Sequence, residues 1–116
     1  MYEQDELCYL RTHYYGGIKK YQWVTIPLAI HGVIALKDGS VVEVKIGDEE
    51  DDMTFVITDL LPHMARRQME KKLSEGIEGE ALNLLLGSIP YKDKEVSEKV
   101  KLNILKTIKL LICKKV

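Results

Sequence analysis

Cysteine is nearly absent from this chain. Cys8 and Cys113 are its only two among 116 residues, and they stand at no metal-ligand spacing. The sequence therefore announces neither a disulfide scaffold nor a thiolate zinc site, and the pair reads as reduced interior thiols. An excess of either charge is also missing. Seventeen Lys and Arg against eighteen Asp and Glu leave a net charge of −1, too little to hold duplex nucleic acid by a global field. No apolar run approaches the ~20 residues of a membrane span. The opening Met1–Glu6 is acidic and polar, unlike a signal or transit peptide, so the expected location is the cytoplasm, with no membrane partner. Short enzyme signatures are lacking too: there is no Gly-rich phosphate loop, nucleophile elbow or metalloprotease helix motif. Arginine is rare, with Arg11, Arg66 and Arg67 as the whole complement.

Apolar residues make up 46% and charged residues 30%, which is a globular composition in a length suited to one domain, 1–116. The first half reads as strands. Leu7 to Tyr15 alternates, Gly16-Gly17 offers a hairpin turn, and Ile18 to Ile26 makes a second strand with Tyr21 and Trp23 on one face. Pro27 ends that strand because it cannot donate a ladder hydrogen bond. Leu28 to Leu36 is almost wholly apolar and reads as the central buried strand, with His31 a buried, hydrogen-bonded histidine inside it. Asp38-Gly39 predicts a type I′ turn into Val41 to Ile46. An acidic loop, Asp48 to Asp52, precedes a fifth short strand, Met53 to Thr58.

The second half reads as helices. Pro62 suits the first position of a helix running to about Ser74, striped by Met64, Ala65, Met69 and Leu73. Glu80 to Leu86 reads as a short helix closed by Gly87. The longest helix is expected from Asp93 or Lys94 to Lys114. Its apolar residues exceed one stripe, with Leu102, Leu110 and Cys113 left over, which points to a homo-oligomer formed through this helix. The fold class is α+β: an antiparallel β-meander of about five strands followed by two or three helices, the last one long.

The most informative stretch is Leu61-Pro62-His63-Met64-Ala65-Arg66-Arg67. A helix start carries unpaired N–H groups and partial positive charge, and normally prefers acids. Here it offers His63, Arg66 and Arg67, spaced to share one face, which suits a bound phosphate or carboxylate. The plainer reading is a solvated face with Glu70 as partner. Arg11 and His13 share a strand face with Tyr9, and the Gly-Gly turn should bring Tyr21 and Trp23 opposite, giving either a base-stacking surface or ordinary cross-strand aromatics. The acidic loop lacks calcium-loop spacing and reads as a solvated turn. His13, His31 and His63 are too scattered for a metal motif.

His31 to Val42 resembles the histidine-bearing hairpin of lecithin:retinol-acyltransferase-like cysteine hydrolases. That family's Asn-Cys-Glu motif is missing here, and Cys113 lies at a helix end that does not lower its pKa. The expectation from sequence is a non-catalytic binding module for an anionic ligand such as a nucleotide, using Arg66, Arg67, His63, Arg11, His13, Tyr21 and Trp23. No cofactor is implied. Two alternatives stand beside it: a small protein-interaction or immunity-type module with a protein partner, and a small hydrolase or nuclease using a histidine.

Overall fold

The structure is a computed structural model that describes residues 1–92 and 97–115, with side chains up to residue 110. It is mixed helix and sheet with antiparallel strands and a C-terminal helix, as expected. The strands, however, form two sheets instead of one meander. Strands β1 (Tyr2–Gln4), β2 (Leu7–Leu10), β5 (Val56–Ile57) and β6 (Leu84–Gly87) make a four-stranded sheet in the order β1-β2-β6-β5. Strands β3 (Ile30–Ala35) and β4 (Val41–Ile46) form a separate hairpin. A single bridge between Leu28 and Phe55 ties the hairpin to the larger sheet through two backbone hydrogen bonds of 2.8 and 2.9 Å.

Three sequence expectations fail locally. Ile18 to Ile26 is not a strand; its centre is a single helical turn, α1 (Lys20–Trp23). Pro62 to Ser74 is not one helix but a turn followed by α2 (Arg66–Met69) and α3 (Leu73–Gly76). Glu80 to Leu86 is not helical either. A 3-10 turn over Gly79–Ala81 leads directly into β6, which is central because β2 and β5 pair on either side of it. Two flanking ladders outweigh the helical preference of Leu-Leu-Leu.

The type I′ geometry also sits elsewhere. Asp5 and Glu6, at φ 50° and 60°, make the two-residue β1–β2 turn, whereas in the β3–β4 turn only Gly39 has positive φ. There, Leu36 N–H donates to Ser40 O and Gly39 N–H to Leu36 O, which is a three-residue loop with glycine in the left-handed position.

The larger sheet is packed on both faces. Leu84 and Leu86 point to one side, where Phe55, Ile57, Leu82 and Leu84 form the core cluster, joined by Ile30 and Ile46 from the hairpin base. The other face receives helix α4 (Lys99–Lys115). A bulge between Cys8 and Tyr9 shifts the β2 register, and Cys8 lies opposite Gly87. Cys8 is 0% exposed and Val100 of α4 is 1% exposed. A side chain at Gly87 would meet Ile104 Cδ1 at 2.9 Å, so the glycine lets α4 approach the sheet. Glu3 of β1 accepts a 2.8 Å hydrogen bond from Lys101 N–H and so caps an otherwise unpaired amide in the first turn of α4. Residues 93–96, where the long helix was expected to begin, lie outside the described residues. Among the described residues no helix is long and apolar enough to cross a membrane.

Candidate functional site

The seven residues expected to form one anion site are dispersed into three places. Arg66 and Arg67 open α2, but this helix has only four residues and no long dipole for a ligand to complement. Arg66 Nε stands 3.6 Å from Glu70 in an i,i+4 pair, with its side chain 90% exposed. That is the solvated arrangement, worth a few tenths of a kcal/mol at most. His63 is exposed in the turn just before it.

Arg11 and His13 follow β2 and take partners within the chain. The Arg11 guanidinium lies 5.4 Å from the centroid of the Tyr2 ring, and Tyr2 in turn stacks on Tyr9 at 5.4 Å. His13 Nδ1 is 2.9 Å from Glu80 Oε1. Tyr21 and Trp23 ride on α1, so they never come opposite Tyr9. Tyr21 instead lines an open cleft of about 450 Å³ with Lys19, Lys20 and Leu73. Trp23 and His13 share a second cleft of about 320 Å³ with Tyr14, Tyr15 and Leu28.

Sequence reasoning missed the partners that fix these residues. Tyr14 packs so closely against Gly79 that a Cβ there would run into its ring, so any larger residue in the 3-10 turn would have to displace Tyr14. Beside it, Thr12 donates its hydroxyl to Leu82 O and its N–H to Asn83 Oδ1. Together with His13–Glu80, these contacts clasp the irregular segment after β2 to the turn before β6, across about seventy residues of sequence. No local pattern signals such a pairing. His31–Asp48 was more readable. His31 pairs with Lys45 in the ladder, so Asp48 lies just past the strand end, 2.8 Å from His31 Nε2. The expected central buried strand is instead β3 of the separate hairpin, with no buried residue, and His31 on it is exposed.

The acidic loop is a closed turn. Asp52 accepts backbone N–H groups from Gly47, Asp48 and Glu49 at 2.9, 3.3 and 3.3 Å. These amides, that of Gly47 foremost, hold its carboxyl below the usual value. Burial pushes the Cys8 thiol up, with the Glu3 charge adding to it, so this cysteine is an inert packing group and not a nucleophile. Cys113 lies outside the residues whose side chains are described.

The family is settled by similarity over the whole chain. Residues 1–116 match the model of the M18 family, the Aminopeptidase I zinc metalloproteases, and the chain belongs to that family. The probable M18 family aminopeptidase 1 of Clostridium acetobutylicum is 58% identical over 108 residues, covering 93% of this chain and 23% of that protein. Its counterpart in Thermotoga maritima is 47% identical, covering 91% and 23%. The crystal structure of the M18 aminopeptidase from Thermotoga maritima superposes with a TM-score of 0.86 at 45% identity, covering 95% of this chain and 24% of that one. Aminopeptidase I from Clostridium acetobutylicum gives 0.78 at 56% identity, covering 92% and 24%. The chain thus spans about a quarter of the length of these relatives.

This overturns the expectation of a non-catalytic nucleotide-binding or protein-interaction module: the family is one of enzymes. The implied zinc finds no fitting set of ligands here. A zinc site needs three or four converging N, S or O donors, and among the described residues no group of three His, Cys, Asp or Glu comes together.

Proposed function

We propose that this chain serves the zinc-dependent removal of amino-terminal residues from peptides by an M18 aminopeptidase, as a part of the enzyme that shapes and supports it without holding the metal. The observation that carries this is the family match across all 116 residues, joined to the absence of a zinc-ligand cluster among the described ones. The experiment is a segment exchange. The corresponding stretch of the Clostridium acetobutylicum relative is replaced by this chain, and hydrolysis of an aminoacyl nitroanilide is followed. Retention of kcat/KM within about tenfold, and its loss on zinc chelation, is the expected result. A folded, zinc-loaded exchange enzyme without turnover contradicts it.

Within such an enzyme, the exposed turn carrying His63, Arg66 and Arg67 is the surface best suited to meet an anionic group such as a peptide carboxylate. Its support is that all three side chains are exposed and Arg66 is held only by a long surface pair. Self-association through α4 is proposed on a separate ground. Val100 is buried against the sheet, yet Leu105, Ile108 and Leu110 further along the helix are exposed, Leu110 by 62%. Light scattering should show an oligomer that Leu110→Glu shifts toward monomer. A monomeric parent chain would remove this reading.

A further inference from the structure

We infer that this chain binds no zinc of its own, and that the metal on which an M18 aminopeptidase depends is held entirely by residues outside it. The inference rests on the aminopeptidase reading for the role of the metal, and on the geometry of this chain for its absence.

Two places come nearest to a metal site. Each is a histidine facing one carboxylate: His13 with Glu80 at 2.9 Å, and His31 with Asp48 at 2.8 Å. Two donors on a tetrahedral zinc, each about 2.0–2.1 Å from the metal, stand roughly 3.3 Å apart. The observed separations are those of a nitrogen and an oxygen sharing a proton. No third donor approaches either pair among the described residues. Both pairs also face water, with side chains 40–76% exposed, so nothing shields a metal from hydration there.

Three further carboxylates are engaged elsewhere. Asp52 collects three backbone N–H groups, Asp59 holds Leu60 N–H and Gln68, and Glu3 caps α4. The Cys8 thiol is buried and disfavours the thiolate that a metal requires. The His–carboxylate pairs are therefore clasps between segments: one joins the irregular segment after β2 to the turn before β6, the other joins β3 to the loop after β4.

The test is a metal count on the chain itself. The protein, shown by thermal unfolding to be cooperatively folded, is dialysed against micromolar zinc chloride, desalted and analysed by elemental mass spectrometry. Less than about 0.1 equivalent of zinc is expected, since a three- or four-donor site would retain a full one. One retained equivalent, lost in His13→Ala, His31→Ala or Cys113→Ser, overturns the inference. The count is independent of turnover: zinc kept by this chain strikes the zinc-free assignment wherever it is used but leaves the aminopeptidase activity standing, whereas an inert, zinc-loaded exchange enzyme strikes the aminopeptidase reading itself.

Discussion

The four-stranded sheet and the β3–β4 hairpin obey the same hydrogen-bond rules but differ in what they bury. The sheet region, with the bridge and turn beside it and α4 against it, contains Cys8, Phe55, Ile57, Leu82, Leu84 and Val100, all buried. The hairpin has six paired positions and no buried residue. One of its faces, Ile30, Gly32, Ile34, Val42, Val44 and Ile46, is wholly apolar, yet only the Ile30 and Ile46 end reaches the core. The stretch from Leu60 to Leu73 behaves like the hairpin: Leu60, Leu61, Met64, Met69 and Leu73 are exposed, and only Ala65 is buried. A compact chain of this length would have a radius of gyration of about 13 Å; here it is 16.6 Å. Ladder hydrogen bonds alone give little net stability, and an isolated two-stranded hairpin is marginal in water. Stability is thus concentrated around β6, while much apolar surface elsewhere stays uncovered in this chain, which spans about a quarter of its relatives' length.

The contrast can be broken most forcefully at β6. Leu84→Ala removes a buried side chain from the core cluster and should cost about 2–4 kcal/mol, while Val33→Ala on the exposed hairpin should stay within about 0.5 kcal/mol. Urea midpoints of the two variants measure the difference, and equal costs would erase the distinction. Next in size is Gly79→Ala. Its new methyl would overlap the Tyr14 ring, so a loss of about 1–3 kcal/mol is expected from overpacking. Tyr14→Ala in the same background should recover part of that loss, because the obstacle is the ring itself.

How much of this was legible in the sequence depends on the region. The β4 strand, Val41–Ile46, was read at its observed bounds, and β3 within a couple of residues at each end, because an apolar run and an Asp-Gly turn are local signals, though its burial was not read correctly. The C-terminal helix was legible for the same reason, from its repeating apolar stripe. The packed sheet was not. β1 hides in a polar stretch turned by Asp5 and Glu6, which carry no glycine to announce positive φ. β6 hides in leucines whose strand state is imposed by neighbours distant in sequence. The site was least legible of all. His13 and Glu80 meet across sixty-seven residues, and no cluster of zinc ligands gathers among the described residues.

Smaller effects sharpen the comparison at the surface. Arg66→Ala with Arg67→Ala should change stability by less than about 0.5 kcal/mol, since the Glu70 pair is exposed. A larger loss in the isolated chain would show that these arginines are structural. The smallest effect belongs to Asp52. Its carboxyl is held below the ordinary value near 3.8 by the amides of Gly47 and Glu49. The turn it closes should therefore be fully formed above that value and loosen as pH falls through the lowered one. The amide shifts of Gly47 and Glu49, followed by NMR from pH 6 downward, should move together below the ordinary carboxylate range; movement centred at or above it would contradict the assignment.

A paired kinetic assay decides whether this chain, as proposed, works as a zinc-free part of an M18 aminopeptidase. The segment-exchange enzyme and the isolated chain are given equal zinc and the same aminoacyl nitroanilide. Turnover is expected from the exchange enzyme and only the uncatalysed rate from the isolated chain. Turnover by the isolated chain, or silence from a folded and zinc-loaded exchange enzyme, would contradict it.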